Sequence, residues 1–155
     1  MKHNGNSNFI VHMLNDQGKT EEYLANEIGD YDGSVVIGTT KAGYYLLDID
    51  ADGPWTVDID QPRPTTAQQV PISMSGTGPQ ASEFFYLKQG LTTFKLNHNG
   101  ESNFIVHLVD SKGNTEEYLV NEIGEFDGSK AIGVSKSGVY LISVDADGDW
   151  TISVK

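Results

Sequence analysis

Any chemistry in this chain would have to come from aspartates, histidines and aromatic residues that recur at matching places. Asp48, Asp50 and Asp52 followed by Gly53 resemble the start of an EF-hand loop. The bidentate Glu that closes such a loop at its twelfth position is Ile59 here, and the flanks alternate like strands. The EF-hand is therefore rejected. A different cation site would arise if Asp48 and Asp58 faced each other on one sheet surface, since paired hard oxygens suit Ca²⁺. Asp30 and Asp32, in Asp30-Tyr-Asp32-Gly33, form an acidic turn that would offer a second such place. Against both stand ordinary readings: a solvated acidic face, and Asp side chains bonding their own backbone in turns. Ca²⁺ is the only cofactor that comes into question.

His12 and His107 close the repeated Phe-Ile-Val-His and are expected on a half-buried sheet surface, as candidate ligand contacts. His3 and His98 stand in Asn-Gly-rich turns and are expected in solvent. Trp55 and Trp150, with Tyr44, Tyr45 and Tyr140, have the makings of a platform on which a sugar ring could stack; core packing is the competing reading. No Gly-x-Ser-x-Gly elbow and no phosphate loop ending in Lys-Ser/Thr occurs, and these are what serine hydrolysis and nucleotide binding would need. No enzyme is expected.

The elements that must position these residues centre on a stretch present twice, 43–59 and 138–154. Each copy is two alternating runs around Asp-Gly. Tyr140, Ile142, Val144 and Ala146 share one face, and so do Trp150, Ile152 and Val154. A hairpin with the three-residue loop Asp147-Gly148-Asp149 would bring the apolar faces together, pairing Ala146 with Trp150 and Val144 with Ile152. The same register in the first copy pairs Ala51 with Trp55, Ile49 with Val57, Asp48 with Asp58 and Asp50 with Thr56.

The repeat extends much further. Residues 3–60 align with 98–155 without a gap, sharing Asn-Phe-Ile-Val-His (8–12, 103–107), Thr-Glu-Glu-Tyr-Leu (20–24, 115–119), Asn-Glu-Ile-Gly (26–29, 121–124) and Asp-Gly-Ser (32–34, 127–129). Alternation predicts strands at 70–76, 83–88, 91–96, 103–109, 116–123 and 130–134, followed by the hairpin. Helix competes at 115–123, where Glu116 and Glu117 would suit a first turn; alternation favours a strand. About eight strands at short spacing is the pattern of a sandwich. The fold class is thus all-β: tandem antiparallel sandwich modules, with 1–62 a partial repeat, 63–69 a Pro-containing linker and 70–155 a complete repeat.

Composition narrows the function. The chain has 155 residues, 37% of them hydrophobic, so it is long enough for a packed core. With no cysteine, disulfides and thiolate metal sites are excluded. The net charge of -12 with ten scattered cations excludes a nucleic-acid surface and disfavours anionic membranes. No apolar run approaches the roughly 20 residues of a membrane helix. The first eight residues are polar and do not read as a signal peptide.

Ser75-Gly-Thr-Gly, Gly90-Leu-Thr-Thr-Phe, His98-Asn-Gly-Glu-Ser-Asn-Phe, Asn121-Glu-Ile-Gly-Glu-Phe-Asp-Gly-Ser and Gly138-Val-Tyr-Leu with its Asp-Gly-Asp-Trp-Thr-Ile continuation resemble a jelly-roll-type β-sandwich repeat of bacterial surface or secreted proteins, similar to pre-peptidase C-terminal domains. The resemblance covers 70–155 fully and 3–62 partly. It implies a non-catalytic accessory or adhesion module that binds a glycan or a protein, outside the cytoplasm, as part of a larger protein. The rival is a small cytoplasmic protein, of viral origin for instance, that sequesters a small molecule as an inhibitor; it would apply if Met1 is the natural start. The first repeat has no counterpart of 70–94, so its edge and apolar face are expected to be covered by a second copy of the chain in a homodimer.

Overall fold

A computed structural model of the chain describes residues 1–155. It contains strands and no helix, and it divides into two compact units, Met1–Gln61 and Pro62–Lys155. Residues 115–123 are a strand, as their alternation requires.

Unit 1 contains β1 (Lys2–His3), β2 (Asn8–Leu14), β3 (Thr20–Ile28), β4 (Tyr31–Asp32), β5 (Leu46–Ala51) and β6 (Trp55–Thr56). They form two three-stranded sheets, ordered β3-β2-β5 and β4-β1-β6. Unit 2 contains β7 (Gln68–Gln69), β8 (Ile72–Thr77), β9 (Gln80–Ala81), β10 (Phe85–Leu87), β11 (Gly90–His98), β12 (Asn103–Asp110), β13 (Thr115–Ile123), β14 (Phe126–Val134), β15 (Gly138–Ala146) and β16 (Asp149–Val154). One of its sheets runs β13-β12-β15-β10-β7, with β9 also on β15; the other runs β14-β11-β16-β8. Phe104, Val106, Ile142 and Val144 from the first sheet join Phe94, Leu96, Trp150 and Ile152 from the second in one core, so unit 2 is a sandwich. Alternation is the reason: each of these strands is buried at every second residue.

The predicted hairpin is not formed. β15 pairs with β12, β10 and β9, while β16 pairs with β11 and β8. Ala146 and Trp150 both point inward, as alternation demands, but from opposite sheets. The Asp-Gly turn is a corner that carries the chain across the core. The side-chain carboxylate of Asp147 fixes this corner by accepting from the Glu101 and Ser102 amides, both at 2.9 Å. The same correction holds in unit 1, where β5 and β6 belong to different sheets. Asp48 lies opposite His12 on β2 rather than opposite Asp58, and Asp50 lies opposite Ile10 rather than Thr56.

Two further expectations fail for one physical reason. Residues 35–39, which the repeat aligns with the predicted strand 130–134 and so predicts as a strand themselves, form none, although 130–134 is most of β14. β14 is held by nine pairs to β11, from Gly90↔Val134 to His98↔Phe126. In unit 1 only Lys2 and His3 stand in that place, pairing with Asp32 and Tyr31. Without a ladder partner the segment stays irregular. β6 is likewise cut to two residues, against six in β16. In addition, Gln68-Gln69, expected within the linker, pairs in parallel with Phe85-Tyr86 of β10.

Candidate functional site

The histidines expected in solvent are among the most buried polar residues. His98, at the end of β11, is 2% exposed and lies flat on Phe104, with ring centroids 4.6 Å apart and planes 7° apart. Its Nδ1–H donates to the Gly124 carbonyl at 2.9 Å, and its Nε2 faces Asp147 Oδ1 at 3.3 Å. Unit 1 repeats the arrangement. His3 stacks on Phe9 at 4.8 Å, Nδ1–H donates to Gly29 O at 2.7 Å, and Nε2 faces Asp52 Oδ1 at 3.3 Å.

The local sequence explains why each ring is sealed. Gly124 has φ +90°, a backbone conformation that suits glycine, and its carbonyl receives the imidazole. Gly100 lies over the ring: a Cβ there would come within 2.6 Å of His98 Nε2 and would also meet Asp147 Oδ1. Only glycine lets the 99–102 loop cross at that distance. Burial pushes the Asp147 carboxyl up, but the Glu101 and Ser102 amides, with His98, outweigh it and hold the group below its ordinary value. Asp52 is lowered too, chiefly by the Asn6 amide, which donates at 3.0 Å. Each His–Asp pair therefore brings three loops together, with Nδ1 hydrogen-bonded and the buried Nε2 facing the carboxylate without a hydrogen-bond partner. Sequence reasoning missed these pairs, whose only signal was the twinned His-Asn-Gly and Asp-Gly motifs.

The aromatic candidates divide. Trp150 is 2% exposed and donates Nε1–H to the Gly78 carbonyl at 3.0 Å; it is core. Trp55, placed inward by the expected register, is 48% exposed. The covering strand accounts for the difference. Trp150 pairs with Gly76 of β8, and unit 1 has no strand in that position. Tyr140 is buried and donates its hydroxyl to Lys136 O at 2.6 Å; half-buried Tyr45 does the same to Lys41 O at 2.7 Å. Trp150 and Tyr140 are thus core residues of unit 2.

His12 and His107 are half-buried, as expected, and here the structure adds partners. His107 meets Tyr118 of β13 edge-on, with centroids 4.4 Å apart, and His12 meets Tyr23 of β3 at 4.6 Å. A register irregularity after Val106, and another after Val11, sets each histidine against its tyrosine. Both tyrosines are exposed. Burial lowers the His107 pKa from its ordinary value, against an opposing pull from Asp145. Asp145 is pushed up by desolvation, with His107 pulling it back. Each unit thus presents an open tyrosine and a histidine on a sheet surface, with a carboxylate on the neighbouring strand: Asp145 in unit 2, Asp48 opposite His12 in unit 1.

The aspartates proposed as cation ligands do not converge. Asp32 is paired with Lys2 Nζ at 2.8 Å, and Asp30 accepts from the Gly5 amide at 3.2 Å. Asp48 is on β5, and Asp58 lies beyond β6. No group of three or more His, Cys, Asp or Glu is placed to hold a metal ion.

A shallow groove of about 590 Å³ crosses the polar face of the β14-β11-β16-β8 sheet, bordered by Ser73, Ser75, Lys95, Asn97, Asp127 and Thr151.

Neither a family model nor a curated protein matches the chain. Among solved structures, the chain is similar to the pre-peptidase C-terminal domain of collagenase from Bacillus anthracis. The identity is 16% and the TM-score 0.43, over 61% of this chain and 99% of that one, and the all-β sandwich described above resembles that domain.

Proposed function

We propose that the chain is a non-catalytic accessory module that binds a glycan or protein partner outside the cytoplasm. The observation that carries this reading is the twinned surface of His107 with Tyr118 and His12 with Tyr23. An exposed tyrosine ring with its hydroxyl, beside a carboxylate, offers a stacking face and hydrogen-bonding groups at once, which suits a saccharide ring. Two such surfaces in one chain would raise avidity for a repetitive polymer. The groups best placed for acid–base work, His98 with Asp147 and His3 with Asp52, are instead engaged in holding loops. The test is retention of the purified chain on immobilised cell-wall polysaccharides and matrix proteins. Tyr118→Ala together with Tyr23→Ala should abolish retention at unchanged melting temperature. Full retention by that double variant would refute this surface as the site, and no retention of the parent chain on any such polymer would refute the reading.

A further inference from the structure

We infer that Asn4 is a self-modification site: in the folded chain its side chain closes on the Gly5 nitrogen, loses ammonia and is converted by water to aspartate or isoaspartate, while its repeat counterpart Asn99 is protected. The inference does not depend on the tyrosine–histidine surfaces.

The sequence holds two Asn-Gly steps, Asn4-Gly5 and Asn99-Gly100. Such a step is prone to ring closure. The asparagine side-chain carbonyl carbon reaches the next backbone nitrogen through a five-membered ring, and glycine has no Cβ to block the approach. Both steps stand at the same place in the repeat, directly after the buried histidine. What differs is what holds them.

In unit 2 Asp149 holds Asn99 at three points. Its carbonyl accepts from the Asn99 amide at 3.1 Å, its amide donates to Asn99 Oδ1 at 2.8 Å, and its carboxylate accepts from Nδ2 at 3.5 Å. Gly100 is buried, and a Cβ on Gly148 would come within 2.6 Å of its nitrogen. In unit 1 the residue aligned with Asp149 is Pro54. Its carbonyl keeps the main-chain bond, accepting from the Asn4 amide at 3.0 Å. Proline has no N–H and no carboxylate, so neither side-chain bond can form. Asn4 is exposed and Gly5 half-buried, within reach of water. The peptide between them is also turned the other way: a Cβ on Gly53 would first meet Asn4 O, and the Gly5 N–H donates to Asp30 Oδ1 at 3.2 Å.

The reaction balances with these groups and water. The Gly5 nitrogen attacks Asn4 Cγ and passes its proton to the Asp30 carboxylate. The Cγ–Nδ2 bond breaks, and ammonia leaves with that proton. The succinimide then takes up one water, at Cγ to give aspartate or at the main-chain carbonyl to give isoaspartate, whose backbone is longer by one methylene. Either product adds a negative charge to the loop whose Gly5 and Asn6 amides already bind Asp30 and Asp52.

The test incubates the full folded chain at neutral pH in heavy-oxygen water and reads the tryptic peptides 3–19 and 96–112 by tandem mass spectrometry. Asn4 should convert at least about fivefold faster than Asn99, the rate equivalent of one side-chain hydrogen bond. In urea the two rates should converge, because the bonds that distinguish the sites are gone. Pro54→Asp restores the groups that Asp149 supplies and should slow Asn4 about fivefold. Asp30→Asn should slow it as well, and melting curves check that unit 1 of each variant is folded. Unit 1 of the aged chain should melt below that of the fresh chain, with unit 2 unmoved. Equal rates at Asn4 and Asn99 in the folded chain would overturn the proposal. So would a ratio that persists in urea, which would refer the difference to the flanking sequence rather than the fold.

Discussion

The two tryptophans stand in the same motif and differ chiefly in what covers them, so truncating each measures the cover. The exposures of 48% and 2% differ by 46 percentage points. On a tryptophan surface of about 250 Å² this is roughly 115 Å², worth about 3 kcal/mol at about 25 cal/mol per Å². Trp150 also donates to Gly78 O, a bond contributing about 1 kcal/mol. Truncating a buried tryptophan costs about 3–5 kcal/mol. Trp150→Ala is therefore expected near the top of that range, and Trp55→Ala at about 1–2 kcal/mol. Differential scanning calorimetry of the full chain decides it. In domains of this size 1 kcal/mol moves the midpoint by about 4–8 °C. Trp150→Ala should thus lower the transition of unit 2 by at least about 16 °C, and Trp55→Ala should lower that of unit 1 by about 4–16 °C. Equal losses, or a larger loss from Trp55→Ala, would refute the reasoning and show that Trp55 is covered in solution.

Gly76→Ala should destabilise unit 2 by about 1–3 kcal/mol through overpacking against the Trp150 ring, read as a lowered urea midpoint at unchanged slope; a neutral result would show that the ring can move aside. The Asp147 carboxyl is depressed, so its contribution is present above the unfolded value of 3.8 and is lost as pH falls through the lower folded value. Asp147→Asn should remove that part of the acid loss, at most about 1 kcal/mol for a group so exposed, in melting curves taken below pH 5. His107 is depressed by burial, with Tyr118 and Asp145 facing it. Its contribution is therefore present above 6.5 and is lost as pH falls through its folded value. His107→Phe should flatten the fall in melting temperature between about pH 7 and 5, and an unchanged slope would remove His107 from the account.

Alternation along the chain was enough to establish the all-β class, to make 115–123 a strand rather than a helix, and to sort Phe104, Val106, Leu108, Ile142, Val144, Trp150 and Ile152 inward. Period two is a local property of the backbone, and the burial pattern follows it along most of each strand, with Val109 and Leu141 buried out of phase. Pairing is not local. An Asp-Gly turn between two inward-facing runs suits a hairpin and a corner between sheets equally well. The corner wins here because Asp147 binds amides at Glu101 and Ser102, some 45 residues earlier in the chain. His98 has polar neighbours in sequence and was expected in water; Gly124, Asp147 and Phe104, none adjacent to it in sequence, bury it. Tyr118 reaches His107 only because β13 lies beside β12 with a slipped register. Trp55 and Trp150 share their motif yet differ in exposure because β8 covers one and not the other. The sequence by itself determined which side of each strand meets the core; the tertiary structure decided which strands meet, because that choice rests on hydrogen bonds and packing between residues far apart along the chain.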